Sequence, residues 1–513
     1  MTPVAASPPP PDEAADGGAF TALQARLEPL FRVIQADPRA PRTVVVVPGI
    51  SMDQEVLARI DGLQHYEERQ LTMLMLLRLP NTRVVFVTST PIDPVVIDYY
   101  LSLLPGIPHP HALRRLTMLS ACDGSGVSLS RKILERPRLI ERIRAAVGDP
   151  SVAHLSCFNS SDLERQLALR LGIPLYACDP RLAPLGGKSG SREVFREAGI
   201  ALPAGSENLR DAGDVVQALA ALRHQQPILD RAVVKLNDGA SGEGNAVFPF
   251  EGAPGDATLA AWIAAELPRR LAYEAPDEHW EHYSAKFAEM RGIVEAWIPG
   301  AGKRSPSVQL RVTPTGLLET ISTHDQVLGG LTGQKFLGST FPADAGYRLA
   351  LHEDGRRVGE VLRRHGVLGR FGVDFVVVPQ ADGTWRRYAI EINLRKGGTT
   401  HTFQTLQYLT DGRYGEADGV FRVPTGQVRV YYATDNLQNP LYRRLTPQDL
   451  IDVAVEHDLH FDHTLVEGVT FNLIGALSEF GKLGVVSIAG SAEAAMRNYQ
   501  RTVRTLDQVS ARG

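Results

Sequence analysis

The spacing of apolar and polar residues changes repeatedly along the first third of the chain. Five short apolar runs are typical of buried strands: residues 44–47, 84–88, 116–120, 153–158 and 174–178. Longer charged segments with helical periodicity separate them, at 53–79 and 128–147. This alternation predicts an α/β region, from residue 20 to about 180, built on a parallel sheet. Its polar stretch 65–69 is typical of a solvated or interface face rather than of a site.

A different pattern occurs further along the chain. Two apolar runs, at 371–378 and 385–394, flank Asp382-Gly383, a dipeptide typical of two-residue β-hairpin turns. Such a turn places Asp374 directly opposite Glu391 on the neighbouring strand. Because strand side chains alternate between faces, Asn393 lies on the same face as Glu391.

Two opposed carboxylates on a half-buried sheet repel each other unless a cation lies between them. Asp374, Glu391 and Asn393 supply the oxygen ligands that Mg²⁺ prefers, with water or phosphate completing the shell. The alternative is a solvated strand face on which the two acids have no function. The metal hypothesis is favoured because the acids interrupt apolar strands and because a basic, glycine-rich stretch follows at 395–398.

Two lysines precede this hairpin in settings that suit phosphate groups. Lys235 interrupts an apolar run at 231–237, and the glycine-rich loop 239–244 follows it. The backbone amides of such a loop can approach phosphates, although many hairpins carry glycines. Lys188 precedes a helix that begins near Ser189 or Ser191. It does not belong to a phosphate-binding P-loop, because Leu182 stands where that motif requires glycine.

Composition limits the remaining classes of function. A chain of 513 residues with a net charge of −4 and no basic run does not suit nucleic acid or an anionic membrane surface. The three cysteines lie far apart, which fits neither a disulfide framework nor a zinc site and suggests a reducing cytoplasm. No apolar stretch has the length of a membrane span. Residues 1–19 are rich in proline, alanine and glycine and predict a disordered leader.

In this order and spacing, these segments resemble the ATP-grasp superfamily. The sequences EINLRKGGTTH at 391–401, GRFGVDF at 369–375 and HYEERQL at 65–71 narrow the resemblance to peptide ligases of the pheganomycin-biosynthesis type. The resemblance implies a Rossmann-like pre-ATP-grasp domain at 20–180 and an ATP-grasp core at 181–412. The core would have lobes at 181–300 and 301–412, and a small α+β domain at 413–513 would follow. The sequence itself leaves open whether that last region is a domain or an extension of the core.

The resemblance also implies roles for individual residues. It places the α- and β-phosphates of ATP on Lys188 and Lys235, and the loop with Gly239, Ser241, Gly242 and Gly244 over the β- and γ-phosphates. The backbone around Glu295, Ala296, Trp297 and Ile298 would read the adenine edge, with Trp297 or Ile298 against the ring. The resemblance assigns two Mg²⁺, with Mn²⁺ as an alternative, to Asp374, Glu391 and Asn393. It suggests Arg395 for the transferring phosphoryl group, and Arg311 and Lys335 for substrate carboxylates. In one departure, Gly372 stands where many members have arginine, and the nearest arginine is Arg370.

The reaction implied joins a carboxylic acid to an amine through an acyl-phosphate, with release of ADP and phosphate. An amino-acid-like acid and an amino-acid or peptide amine are the expected substrates, without a nucleic-acid or membrane partner. The alternatives are an ATP-grasp enzyme of different output, such as a D-alanine–D-alanine-like ligase or a kinase, and a nucleotide-binding module without turnover. The sequence leaves open whether the chain is a monomer or a homo-oligomer.

Overall fold

The computed structural model describes residues 13–51, 62–239, 244–275, 277–329 and 335–512. The α-helices among them are α1 Glu13–Gln24, α2 Leu27–Ala36, α3 Pro94–Ser102, α4 His109–Leu113, α5 Leu129–Leu134, α6 Pro137–Val147, α7 Asp162–Leu171, α8 Lys188–Glu197, α9 Ala212–Gln225, α10 Leu259–Arg270, α11 Trp280–Met290, α12 Arg348–Arg364, α13 Gly398–Thr410, α14 Pro447–Glu456, α15 Ala476–Phe480 and α16 Ala492–Arg512. The 3₁₀ helices are Leu63–Arg78, Pro150–Val152, Pro180–Gly186 and Pro440–Arg444.

The strands form one parallel sheet and three antiparallel ones, which confirms the predicted α/β and α+β class. They are β1 Arg42–Val47, β2 Thr82–Thr88, β3 Leu116–Ser120, β4 Ala153–Cys157, β5 Gly205–Leu209, β6 Arg231–Leu236, β7 Asn245–Pro249, β8 Ala272–Tyr273, β9 Gly292–Ala296, β10 Pro306–Val312, β11 Leu318–Gly329, β12 Lys335–Phe341, β13 Gly369–Pro379, β14 Trp385–Asn393, β15 Arg413–Gly415, β16 Val420–Arg422, β17 Val430–Gln438, β18 Gly468–Asn472 and β19 Lys482–Ala489.

The N-terminal region is the predicted parallel sheet, in the order β3-β2-β1-β4. Its β-branched strands are buried on both faces, as the near-continuous apolar runs indicated. Three details differ from the prediction. The helix expected at 128–147 is two helices, because Pro137 cannot continue the first one. The fifth strand, at 174–178, is reduced to a single bridge between Leu155 and Leu175. Within the expected leader, α1 already begins at Glu13, and Phe20 on it is fully buried.

The described part of the segment expected as a long α-helix at 53–79 is instead a 3₁₀ helix of 16 residues over Leu63–Arg78, and residues 53–61 lie outside the described residues. A 3₁₀ helix repeats every three residues, so its side chains form three rows that face different neighbours. Every row makes polar contacts with distant parts of the chain. Glu67 and Gln70 share one row and contact Ser89 and Lys396, Arg69 in the second row pairs with Asp435, and Glu68 in the third row accepts from the amide of Gly475. The polar stretch 65–69 is therefore an interface, one of the two alternatives that its pattern left open.

A five-stranded antiparallel sheet, in the order β5-β9-β6-β7-β8, forms the smaller lobe of the centre of the chain. Helices α9, α10 and α11 cover it with an apolar core of their own. The preceding helix α8 places its apolar side chains in the core of the larger sheet. Its Val194 and Phe195 pack with Phe371 in the core of the next sheet, so the predicted lobe boundary at residue 181 does not follow the packing.

An eight-stranded sheet, in the order β14-β13-β10-β11-β12-β17-β19-β18, forms the larger lobe. Strands β17, β18 and β19 lie beyond residue 413, yet β17 pairs directly with β12 through Thr340 and Tyr432. The C-terminal region therefore extends the sheet of the core, and the domain bounds of 413–513 stay a prediction. In the part of the chain that the structure describes, no helix has both the length and the apolar character needed to cross a membrane.

His324 on β11 lies where β12 meets the C-terminal strand β17. It is fully buried against Phe341 of β12 and bonds to the hydroxyl of Tyr431 of β17 at 2.7 Å. Burial lowers the pKa of His324 to about 3. The unfolded chain therefore binds a proton below about pH 6.5 that the folded chain does not accept until pH 3. The stability that neutral His324 contributes is fully present above about pH 6.5 and is lost as the pH falls from there towards 3.

We expect His324→Gln to make the protein less sensitive to acid. Between pH 7 and pH 5, the free energy of unfolding of the wild type should fall by about 2 kcal/mol more than that of the variant. Denaturant titrations at the two pH values measure this difference. His224→Gln, at an exposed histidine, serves as the control and should behave as the wild type does. Equal losses for wild type and His324→Gln would contradict the assignment.

Candidate active site

The predicted hairpin is β13 and β14, and its register confirms that Asp374 lies opposite Glu391. The route to this register differs from the prediction. The turn has three residues rather than two, because the amide of Gln380 bonds to the carbonyl of Thr384 at 2.8 Å and Gly383 has a φ of +82°. A β-bulge between Asp374 and Phe375 leaves Ile390 unpaired and restores the register. The longer turn shifts the register by one residue and the bulge shifts it back, so Asp374 still lies opposite Glu391.

Asp374, Glu391 and Asn393 form the predicted cluster on one face of this hairpin. The Nδ2 of Asn393 donates to Asp374 Oδ2 at 3.0 Å, and Gln326 Nε2 donates to Oδ1 at 2.9 Å. Burial and the charge of Glu391 raise the pKa of Asp374 to about 7, although neighbouring cations act in the opposite direction. Burial also raises the pKa of Glu391, but the charges of Lys188, Lys235 and Arg395 outweigh it and leave that pKa below its usual value.

Lys188 lies at the start of α8, as predicted, and its ammonium group pairs with the carboxylate of Glu391. The first turn of this helix is fixed to the smaller lobe. The amide and hydroxyl of Ser189 both donate to Asn237 Oδ1, at 3.0 and 2.7 Å, and the amide of Lys188 donates to the Asn237 carbonyl. The helix N-terminus and Lys188 therefore present positive charge to the carboxylate pair from the side of the smaller lobe.

The chemistry of these residues fits a hard divalent cation. Two carboxylates and an amide oxygen are typical magnesium ligands, and a cation would relieve the repulsion between Asp374 and Glu391. In the described ranges, no group of three His, Cys, Asp or Glu side chains could hold a metal ion. The protein alone thus offers an incomplete shell, which leaves coordination positions for water or phosphate oxygens.

Lys235 differs from its predicted surroundings. Its Nζ pairs with the buried carboxylate of Glu295 on the adjacent strand β9, and Arg192 Nη1 lies 3.4 Å from the same carboxylate. The side chain of Glu295 compensates these two cations, and the role predicted for its backbone at the adenine edge stays a prediction. The anionic partner that a buried lysine requires is thus supplied by the protein in this structure.

The strand end expected to read adenine is partly occupied by bonds within the protein. The amide of Ala296 donates to the Ala204 carbonyl at 2.8 Å, and the amide of Trp297 donates to the Arg231 carbonyl at 3.3 Å. The ring of Trp297 is covered by Lys303, whose Nζ lies 3.9 Å from the ring centroid. Lys303 Nζ also donates to the carbonyl of Ile298 at 3.4 Å, and the adenine role of the four residues stays a prediction.

The predicted glycine loop is described only at its ends. Gly239 and Gly244 approach each other closely, and the Gly244 carbonyl accepts bonds from the amide of Leu236 and the hydroxyl of Tyr283. The predictions for Ser241 and Gly242 fall outside the described residues. Lys335 is the first residue of β12, and the prediction for its side chain also falls outside what the structure describes.

The predicted arginines occupy two different settings. Arg395 lies just beyond Asn393, and its Nη1 donates to the backbone carbonyl of Lys396 at 3.1 Å. Glu391 and Asp374 raise the pKa of Arg395, but burial lowers it more. Arg311 lies on β10 of the same sheet, where it is paired with Arg370 of β13. Its side chain is bound to the protein, with Nε 2.6 Å from Glu319 Oε2.

Sequence reasoning missed several residues that fix this site. Gln326 bonds to Asp374 from β11, Asn237 holds the first turn of α8, and the Ser191 hydroxyl accepts a bond from the amide of Ile392 at 3.0 Å. All three are uncharged polar residues that lie far from the hairpin in the chain. No local sequence signal distinguishes them, since their contacts arise from tertiary packing.

Two family models match the chain. One, described as "IQCH-like, ATP-grasp", matches residues 259–416, and another, described as "PGM1 C-terminal domain", matches residues 449–502. The L-propargylglycine–L-glutamate ligase of Streptantibioticus cattleyicolor is 32% identical over 489 residues, which covers 94% of this chain and 97% of that protein. The chain belongs to the ATP-grasp peptide ligases of the pheganomycin type. It is an ATP-dependent enzyme that forms amide bonds.

Solved structures support the same fold at much lower identity. The biotin carboxylase domain of Hydrogenobacter thermophilus 2-oxoglutarate carboxylase, in complex with MgADP, aligns with a TM-score of 0.53, 12% identity and 90% coverage of each chain. The N5-carboxyaminoimidazole synthetase of Staphylococcus aureus, in complex with ADP, aligns with a TM-score of 0.50 and 10% identity, covering 90% of this chain and 98% of that one. The resemblance inferred from the sequence is thus confirmed at the level of family and fold.

The repulsion between Asp374 and Glu391 generates a stability prediction for this ligase. Asp374→Asn removes one of two opposed negative charges, so its melting temperature without ligands should equal or exceed that of the wild type. With ADP present, added Mg²⁺ should raise the melting temperature of the wild type and leave that of the variant nearly unchanged.

Thermal denaturation with ADP alone and with ADP plus Mg²⁺ measures both effects. Asp452→Asn, at an exposed aspartate of α14, is the matched control and should retain the full magnesium response. A magnesium response in Asp374→Asn as large as that of the wild type would exclude Asp374 as a ligand.

Proposed function

We propose that this ligase activates a carboxylate of an amino acid, with L-glutamate as the first candidate, and transfers the acyl group to the amine of a second amino acid or a peptide. The observation that carries this proposal is the cluster of Asp374, Glu391 and Asn393 with Lys188 paired to Glu391. The substrate class is inferred from the relative, whose name specifies L-propargylglycine and L-glutamate.

In the first step, a carboxylate oxygen of the acid attacks the γ-phosphorus of ATP, and ADP leaves. Asp374, Glu391 and Asn393 would hold two Mg²⁺, or Mn²⁺ in their place, which neutralise the phosphate charge when bound. Lys188 is the first residue of α8, so its ammonium group lies beside the positive end of the helix. In this step it exchanges its carboxylate partner for phosphate oxygens. Arg395 stabilises the charge on the transferring phosphoryl group from the far side of Asn393.

In the second step, the uncharged amine attacks the acyl carbon, phosphate leaves, and the new amide nitrogen loses a proton. The protein contributes mainly positioning and charge, since no side chain becomes covalently bound to substrate. Acyl-phosphates react with water, so the site must exclude it. The segment 239–244 follows Lys235 closely in the sequence, and we assign it to closure over the phosphates.

The role of Lys235 follows from its present partner. Glu295 compensates its charge in this structure. Binding of the α- or β-phosphate to Lys235 therefore requires the ammonium group to share that carboxylate rather than to give it up. We further propose that the enzyme acts in the cytoplasm, in the synthesis of a natural product or a modified peptide, and that it forms a homo-oligomer.

The test is phosphate release from ATP and Mg²⁺ with a panel of amino-acid acids and amines, beginning with L-glutamate and L-propargylglycine. We expect release that requires both partners and a product whose mass is the sum of the two minus water. A stable phosphorylated acid formed without amine would instead indicate a kinase. ATP turnover that is independent of any pair would contradict the proposal.

Glu391→Gln tests the site within the same assay. We expect kcat to fall by at least about 10²-fold, because the variant loses a magnesium ligand and leaves Lys188 without its carboxylate partner. The folded structure should persist, as judged by circular dichroism. Glu353→Gln, at an exposed glutamate of α12, is the control and should keep wild-type kcat. Unchanged turnover in Glu391→Gln would remove this residue from the mechanism.

A further inference from the structure

Arg370 lies on the same face of the large sheet as the carboxylate pair. On β13, Phe371, Val373 and Phe375 point into the apolar core. The alternating residues Arg370, Gly372 and Asp374 therefore point to the opposite face. Arg370 is four residues from Asp374, which is about 13 Å along a strand, and a long side chain can span part of that distance. Arginine and the carboxylate pair thus share one surface.

The two ends of β13 contact different parts of the protein. At the far end, the amide of Arg304 donates to the Val377 carbonyl at 2.9 Å, and Gly300 packs closely on Val378, so this end meets the turn between the lobes. At the near end, Gly369 packs on Ala177 of the N-terminal region. Asp374 lies between them. In the proposed function ATP binds at the interlobe turn, so Arg370 lies on the opposite side of the carboxylate pair, on the side that is left for the acid and the amine.

Arg370 has no partner among the described residues. Neither a hydrogen bond nor an ion pair joins its guanidinium group to any of them, and the residue is half-buried. Burial and the positive charge of Arg311 lower the pKa of Arg370 to about 10. By contrast, Arg311, directly opposite on β10, pairs with Glu319. A half-buried cation without an ion-pair partner is unfavourable, so its position favours the binding of an anionic ligand.

The immediate surroundings of Arg370 also suit an anion. Tyr176, from the N-terminal region, lies beside Arg311 and Arg370, and its buried hydroxyl lacks a well-formed hydrogen bond. Two guanidinium groups, the Tyr176 hydroxyl and the carboxylate of Glu319 therefore lie close to one another. Between this place and the metal cluster stands Gly372, whose missing side chain gives room to Gln309. This face of the sheet therefore carries the proposed metal ligands at one end and hydrogen-bond donors at the other.

We propose that Arg370, with Arg311 and Tyr176 beside it, binds the carboxylate of a substrate amino acid that is not activated during the reaction. The geometry of a guanidinium group matches a carboxylate through two parallel hydrogen bonds. This subsite rests on the proposed function and specifies it further, because it requires an amino-acid substrate that keeps a free carboxylate. The same chemistry would suit the acid or the amine substrate, and the experiment separates the two.

The experiment compares wild type, Arg370→Gln and the control Arg386→Gln, which changes an exposed arginine on the neighbouring strand β14. KM and kcat are measured at saturating ATP and Mg²⁺ for L-glutamate, for 4-aminobutyrate, which lacks the α-carboxylate, and for L-propargylglycine. We expect Arg370→Gln to raise one amino-acid KM by about 10- to 100-fold, with the KM for ATP within about twofold of wild type.

The substrate whose KM rises identifies the source of the carboxylate. If it is L-glutamate, 4-aminobutyrate should bind equally poorly to wild type and variant. If it is L-propargylglycine, the amine substrate occupies the subsite. Unchanged KM values for both amino acids would overturn the proposal. Loss of turnover in the wild type with every pair would refute the proposed function itself, and isothermal titration of L-glutamate in the presence of MgADP then tests the subsite alone.

A second measurement distinguishes binding from a structural role. A structural arginine stabilises the fold, so its removal lowers the melting temperature. An arginine held for a ligand adds an uncompensated charge, so Arg370→Gln should melt at or above the wild-type temperature without substrate. With L-glutamate and MgADP present, the substrate-dependent rise should be smaller for the variant than for Arg386→Gln. A variant that melts lower and responds fully to substrate would assign Arg370 a structural role.

Discussion

The opposed carboxylates of Asp374 and Glu391 are the constraint on which the site depends. Two negative charges at neighbouring positions of a largely buried sheet are unfavourable unless cations compensate them. The protein surrounds the pair with Lys188, Arg395 and the amides of Gln326 and Asn393. Each comes from a different element, so α8 and the strands of the large sheet must keep fixed positions relative to one another. The fold thus keeps the two carboxylates close together and keeps the groups that compensate their charge beside them.

The N-terminal region takes part in the same arrangement through its 3₁₀ helix. Gln70 on this helix bonds to Lys396, which immediately follows Arg395, and Lys396 also bonds to Ser156 of the parallel sheet. The segment that carries Arg395 is therefore held by the N-terminal region rather than by the large lobe alone. The C-terminal strands contribute Asp435, which pairs with Arg69 and His401 at the start of α13. Three distant parts of the chain meet at one short segment after β14.

The sequence predicted those features that depend on local pattern. The pairing of Asp374 with Glu391 followed from a turn dipeptide and strand alternation, and the parallel sheet followed from apolar runs. The pairing was right although the turn was wrong, because a three-residue turn and a bulge at Ile390 offset each other. The roles of Ser241, Gly242 and Lys335 stay predictions. Partners such as Gln326 and Glu295 could not be predicted, since ordinary polar residues acquire their roles only through tertiary contact.

The bounds of the domains stay predictions, because the sequence could not show how the C-terminal region joins the sheet of the core. Strand β17 pairs with β12, about 90 residues earlier in the chain, and no periodicity in the sequence records such a pairing. The most direct test of the whole account is a crystal structure of the enzyme with ADP and Mn²⁺, in which anomalous scattering locates the metal. The account predicts metal bonded to oxygen atoms of Asp374, Glu391 and Asn393 and to the diphosphate. Metal bound to ADP but distant from Asp374 and Glu391 would contradict it.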